Sequence, residues 1–276
     1  MKSIICYYSA IGNTRLACET IARAVPGAGF ELFDITSGAR PDLAGSDFTG
    51  FATFADFWGP PQLFKTFIEA LPEQANRPAF VFNTFGGANG GTLYQLARLV
   101  QTRGFRVKAA HALHTPESYP VVIAGGRTFI SSPSEKELEQ FRSFIRALSR
   151  LAAEIRAGRG HEQGRAKFGL KERLWPVLSR TTARRTMGEK YVDAALCTFC
   201  ELCAKTCPYQ AIRMNPGPEF DMSRCYGCWA CFSRCPKKAI YTRKLRGTGH
   251  YPQPANELKK KLALLEPMSG AAKEAE

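Results

Sequence analysis

A chain of 276 residues, 45% of them hydrophobic and 22% charged, has the make-up of a globular protein with room for two modest domains. No run approaches the roughly 18 uncharged apolar residues of a spanning helix, which excludes membrane insertion. The formal charge is +14 and uneven: residues 159–276 hold 22 Lys and Arg against 11 Asp and Glu, whereas residues 1–158 hold 16 against 13. A basic second half suits an acidic partner, and it also suits a plain solvated surface; both readings stand at this point.

In chain order, Lys2–Ser9 is a continuous apolar run of the kind buried in a parallel sheet, and its apolar part is too short for a secretion signal. Thr14–Val25 carries Leu16, Ala17, Ile21, Ala24 and Val25 at helical spacing. Strands are predicted at Phe30–Ile35, Thr49–Phe57, Ala79–Phe85 and Phe105–Leu113, and helices at Gln62–Leu71 and Thr92–Arg103. Ser134 caps a long helix that runs to about Arg156, with Glu135 and Glu137 in its first turn. Strands alternating with helices predict an α/β fold, a doubly wound parallel sheet covered on both faces, over residues 1–158. Residues 159–190, with nine Lys and Arg against three Asp and Glu, read as a basic linker with one helix near Leu170–Leu178. Residues 246–276 form a tail in which Leu258, Leu262 and Leu265 share a helical face that docks on the body.

Eight of the ten cysteines fall between residues 197 and 235, in two copies of one pattern. Cys197, Cys200, Cys203 and Cys207-Pro208 match Cys225, Cys228, Cys231 and Cys235-Pro236, and Ala211-Ile212 answers Ala239-Ile240. Each copy reads C-x2-C-x2-C-x3-C-P. Three thiolates two residues apart wrap one face of a cubane, and the fourth falls a turn too late and closes the other cluster. Cys197, Cys200, Cys203 and Cys235 are therefore expected to hold one 4Fe-4S cluster, and Cys225, Cys228, Cys231 and Cys207 a second. Zinc is the competing ligand chemistry, but it prefers two separated CxxC pairs. Without an export signal, thiol ligation in a reducing cytoplasm is favoured over disulfides. Phe199, Tyr209, Tyr226, Trp229 and Phe232, between and beside the cysteines, are expected to pack over the clusters. Cys6 and Cys18 read as small core hydrophobes.

Ser9-Ala10-Ile11-Gly12-Asn13-Thr14, between the first strand and its helix, makes a nest for a phosphate, or else an ordinary helix start capped by Asn13 or Thr14. Two further loops leave strand ends: Asp56-Phe57-Trp58-Gly59-Pro60-Pro61, and Thr84-Phe85-Gly86-Gly87-Ala88-Asn89-Gly90-Gly91. An aromatic loop facing bare glycine backbone could clamp a flat ring at the carboxyl edge of the sheet. Taken singly, Trp58 is also a core residue and the glycines a turn. No P-loop and no G-x-G-x-x-G is present.

On these loops residues 1–150 resemble the flavodoxin family, which binds FMN, and on the cysteine runs residues 190–245 resemble bacterial-type ferredoxins with two 4Fe-4S clusters. Together the chain resembles flavodoxin–ferredoxin fusion proteins of anaerobic microbes, with an FMN domain at 1–158 and a small α+β ferredoxin domain at 191–245. The resemblance implies that Ser9, Ala10, Gly12, Asn13 and Thr14 hold the FMN phosphate and that Trp58 or Phe85 stacks on the ring. It further implies that Gly59, Thr84, Gly86, Gly87, Asn89 and Gly90 edge the ring, with Tyr119 as a further contact. This chain departs from flavodoxins proper, which are acidic, and its glycine loop is richer in glycine. The function expected is electron transfer among FMN, the two clusters and an acidic redox partner protein, feeding low-potential electrons to an anaerobic metalloenzyme or radical enzyme. The alternative is an iron–sulfur flavoenzyme that reduces a small molecule at the flavin under a lid at residues 114–133. Nucleic-acid binding by the basic half lacks any helix-turn-helix or aromatic-platform signature.

Overall fold

A computed structural model describes residues 1–159, 164–176, 178 and 188–265. Its larger part is a parallel sheet of β1 (Ser3–Tyr7), β2 (Phe30–Asp34), β3 (Phe48–Phe54), β4 (Arg77–Phe85) and β5 (Phe105–His114), in the order β2-β1-β3-β4-β5. This is the flavodoxin-like doubly wound order, and it places a switch point between β1 and β3. The five strands agree with the sequence reading, and most ends differ by one or two residues. β3 stops at Phe54, three residues early, because Asp56 and Gly59 close a tight turn in which Phe57 and Trp58 adopt positive φ of 49° and 72°.

Alternation along β1 sorts the two cores. Ile5 and Tyr7 face α1 (Asn13–Ala24) and α5 (Glu135–Arg156), while Ile4, Cys6 and Tyr8 face α2 (Gln62–Glu69) and α3 (Thr92–Thr102). On the first face, Leu138, Phe141, Phe144, Ile145 and Leu148 of α5 pack against Phe80 and Phe82 of β4. Each such side chain contributes roughly 1.5–3 kcal/mol on burial. Gly50 of β3 is required here, since a Cβ would enter the Phe80 ring. Ser134 caps α5 as expected and forms a reciprocal capping box with Glu137. Burial pushes the Cys6 and Cys18 thiols up, so both stay protonated and inert in their cores.

After β5 come a short helix α4 (Pro120–Ala124), which the sequence reading missed, and α6 (Leu170–Arg173), the described part of the helix expected at Leu170–Leu178. The rest of that helix falls partly outside the described residues. Segment 164–176 lies on the first domain: Ala166 N–H donates to Val107 O at 3.0 Å, and Phe168 meets the Tyr94 ring edge-on at 5.6 Å. The second domain pairs β6 (Tyr191–Val192) with β9 (Ile240–Tyr241) and β7 (Ile212–Asn215) with β8 (Gly217–Phe220), both antiparallel. Two short helices, α7 (Leu202–Lys205) and α8 (Ala230–Arg234), pack between these ladders. No helix among the described residues is long and apolar enough to cross a membrane.

The chain then returns to the first domain. Helix α9 (Asn256–Ala263) buries Leu258 and Leu262, with Leu265 just beyond it, in the same core as α1 and α5. Arg23 donates to Leu262 O at 2.9 Å and Lys261 to Pro133 O at 2.8 Å. Leu262→Ala is expected to destabilise the protein by about 2–5 kcal/mol in urea unfolding. A cost under about 0.5 kcal/mol, the usual surface value, would show that the helix is only appended.

Candidate cofactor sites

At the carboxyl edge of the sheet the loops after β1, β3, β4 and β5 surround a cavity of about 470 Å³. Of the residues the sequence singled out, Ser9, Ala10, Asn13, Thr14, Trp58, Thr84, Phe85, Gly86, Gly87 and Tyr119 line it. Gly12, Gly59, Asn89 and Gly90 are not among its walls. Gly90, with φ of 59°, is instead needed where the Trp58 side chain crosses its Cα, and Asn89 accepts from Asn83 Nδ2 at 2.7 Å. The loop after β5 brings wall residues that the sequence reading did not select: Thr115, Glu117, Ser118, Val122 and Arg127.

The first loop leaves backbone donors open at the start of α1. Gly12 is the N-cap of α1 with φ of 119° and supplies no side-chain oxygen, so the N–H groups of the first helical turn remain for a ligand. Asn13 and Thr14 therefore lie inside the helix rather than capping it, and their side chains tie the loops together. Thr14 Oγ1 is 2.9 Å from Thr84 Oγ1, and Asn13 Nδ2 donates to Pro116 O at 3.1 Å. Asn13 Oδ1 accepts from the Tyr251 hydroxyl at 3.0 Å, and Pro254 Cδ would sit 2.9 Å from a Cβ on Gly12. A phosphate cradle of backbone donors, set in an otherwise cross-linked rim, fits the chemistry of these residues.

Aromatic walls fit a flat ring. Trp58 meets Trp175 edge-on at 5.7 Å, and Phe57 meets Tyr119 at 5.4 Å. The glycine loop is more fully engaged than expected. Gly87 N–H donates to Glu117 Oε2 at 2.9 Å, while Glu117 Oε1 accepts from the N–H groups of Ser118 and Tyr119 at 2.8 and 2.9 Å. A Cβ on Gly86 would stand 2.6 Å from that carboxylate.

The eight clustered cysteines divide between two small cavities. Cys197, Cys200, Cys203 and Cys235 line one small cavity, and Cys207, Cys225, Cys228 and Cys231 line another. The two are related by the 28-residue repeat in detail. Cys197 N–H donates to Asp193 O and Cys225 N–H to Asp221 O. Ala211 N–H points at Cys207 Sγ at 3.4 Å, and Ala239 N–H at Cys235 Sγ at 3.3 Å. Positive φ recurs at Phe199 and Gly227, at Glu201 and Trp229, and at Gln210 and Lys238. Such turns aim backbone amides at sulfur, which favours bound thiolates. Burial pushes the Cys228 and Cys231 thiols up, and the Lys190 cation beside them works in the opposite direction. Among the described residues no three His, Cys, Asp or Glu side chains gather closely enough to share one metal ion. Each set of four thiols stands around its own small cavity.

The large cavity and the second thiol cavity share a wall: Gly227, Cys228 and Trp229 line both. Tyr226 fixes this contact. Its hydroxyl donates to Asp56 Oδ2 at 2.7 Å and accepts from Gln62 N–H at 2.9 Å. Trp229 meets Tyr119 at 6.1 Å, and Tyr8, buried at the end of β1, lies beside Cys228. The other thiol cavity faces outward, where Cys200, Phe199, Leu196 and Leu202 are exposed.

Residues 182–239 match the 4Fe-4S dicluster domain family. Over 48 residues the chain is 44% identical to a subunit of the ion-translocating oxidoreductase complex of Methanosarcina acetivorans, a stretch covering 17% of this chain and 18% of that protein. The chain thus spans under a fifth of that relative's length. Among solved structures, a flavodoxin from the domain Archaea is 13% identical, covers 55% of this chain and 99% of its own, and has a TM-score of 0.41. The WrbA-like flavodoxin from Agrobacterium tumefaciens is 21% identical, covers 58% of this chain and 99% of its own, and has a TM-score of 0.41.

Tyr226→Phe removes the hydroxyl that links the two domains and leaves Gln62 N–H without that acceptor. It is expected to cost about 1–3 kcal/mol in urea unfolding with little change in cluster content. An unchanged unfolding midpoint would show that this link is not part of the domain contact.

Proposed function

We propose that this chain is an electron-transfer protein that connects FMN, two 4Fe-4S clusters and a redox partner protein. The observation that carries the reading is the wall at Gly227–Trp229, common to the sheet-edge cavity and one of the thiol cavities. When bound, FMN supplies paired or single electron exchange, and each 4Fe-4S cluster supplies single electrons.

The residues have separable tasks. The first turn of α1, with Ser9, Ala10, Asn13 and Thr14, would hold the FMN phosphate. Trp58, Phe85 and Tyr119 would flank its ring, and Gly86 would let the backbone approach. The cluster next to the flavin would be held by Cys207, Cys225, Cys228 and Cys231, the outer one by Cys197, Cys200, Cys203 and Cys235. Trp229 and Phe232, both buried, exclude water from the junction. Exposed Leu196, Phe199 and Leu202 around Cys200 suit a transient docking face. The excess of Lys and Arg in residues 159–276 would steer an acidic partner to it. A client needing low-potential electrons, an anaerobic metalloenzyme or radical enzyme, fits this chemistry. Eight clustered thiols, free of disulfides, suit a reducing cytoplasm.

A second reading is favoured by one feature. Val122 and Arg127 also line the large cavity, so the loop after β5 could enclose a small molecule against the flavin. Reoxidation of reduced flavin that depends on an added small substrate, with no protein partner present, would select it.

Anaerobic purification with iron, sulfide and flavin counted per chain is expected to give about eight irons, about eight sulfides and one FMN. Zinc in place of iron, or a chain that takes up no FMN, would overturn the proposal.

A further inference from the structure

The duplication inside the second domain supplies its own control, because the two thiol cavities can be compared position by position. Cys197 corresponds to Cys225, Asp193 to Asp221 and Val192 to Phe220. Carried one step further, Tyr191 corresponds to Glu219 and Lys190 to Pro218. The structure keeps this correspondence in space. Pro218 lines the outer thiol cavity, and Lys190 lines the one next to the sheet.

Lys190 is an unusual lysine. It is 6% exposed, its Nζ donates to Cys225 Sγ at 3.1 Å, and the same nitrogen stands 5.2 Å from the centre of the Trp229 ring. No carboxylate pairs with it among the described residues. A buried ammonium is costly unless an anion faces it. The negative charge that Lys190 answers is therefore that of the thiolate-bound group in this cavity. The equivalent position at the outer cavity holds a proline ring, with no charge and no donor.

We infer that Lys190 is the residue that sets the two clusters apart, raising the potential of the cluster held by Cys207, Cys225, Cys228 and Cys231. The inference rests on the cluster assignment proposed above. Reduction adds one negative charge to a cluster, and a fixed cation a few ångströms away stabilises the reduced form more than the oxidised form. Trp229 and Phe232 keep water from the site, so the attraction is only weakly screened. Nothing at Pro218 does this for the outer cluster. Lys190 acts through Cys225 and through space, as a positioning cation for the electron.

The test is an anaerobic redox titration of the full chain, followed by the electron paramagnetic resonance of the reduced clusters. Lys190→Met and Lys190→Gln are expected to lower one midpoint potential and leave the other in place, with iron content retained. At a fixed potential, the reduced-to-oxidised ratio of that cluster should fall about tenfold or more. Lys190→Arg, which keeps the charge, should hold the potential near that of the native chain. Pro218→Lys, made in the native background, provides an arm that does not depend on the Lys190 variants folding, and should raise the other potential. Potentials unmoved in Lys190→Gln, equal shifts of both clusters, or a Pro218→Lys chain identical to native would overturn the inference. Failure of the native chain to take up two clusters would overturn the cluster assignment instead.

Discussion

Thiols that must leave their own sequence run to find their fourth partner organise everything downstream of the sheet. Cys207 sits in the first run yet lines the cavity of the second, and Cys235 does the converse. Neither half of the small domain can complete a site without the other. The two-stranded ladders are too short to hold it alone, with β6 and β9 only two residues each. Its apolar core is correspondingly small, built on Ile212, Trp229, Phe232, Ile240 and Leu245. A domain of this size depends on cross-links where a larger one depends on burial. Under the proposed cluster assignment the crossing of the fourth cysteines would supply them, while the Tyr226 hydroxyl holds the neighbouring Cys228 and Trp229 against the sheet.

That placement joins two ordinary scaffolds along one shared wall. A doubly wound sheet offers its ligand crevice at the carboxyl ends of its strands, at a switch in strand order. Here the crevice is closed on one side by the cysteine domain rather than left to solvent. The Tyr226 hydroxyl, held by Asp56 and Gln62, anchors the contact at the loop after β3. Phe57, Tyr119, Trp229 and Phe232 carry ring contacts from that loop into the small domain. Under the proposed function this is a fixed approach between carriers, which a pair of separate proteins would have to find by collision.

Periodicity and spacing made much of this legible from sequence. The five strands and the helices between them follow from apolar patterning, because the helices bury one face each and the central strands, covered on both sides, are buried almost throughout. The cysteine grouping follows from the reach of a thiolate along the chain. What stayed hidden is what depends on distant partners. Glu117 had no local signal, yet it takes up the Gly87 N–H and fills the space beside Gly86. Gly90 looked like exposed backbone for a ligand, and it is a crossing point for Trp58. The segment at 164–176 looked like a linker because its charge masks Ala166, Phe168 and Trp175, three side chains that touch the first domain. Lys190 was one basic residue among many until its burial and its sulfur partner set it apart.

The polypeptide runs out from the sheet to the cysteine domain and is then buckled back. Helix α9 lies against α1, Tyr251 is bonded to Asn13, and Pro254 rests on Gly12. The small domain is thus held twice, by the Tyr226 hydroxyl and by its exit segment, which clasps the very turn that starts the first helix. A carrier on a single leash could swing out to a client and return. One fastened twice is held in place, so under the proposed function a client would have to come to the outer face of this molecule.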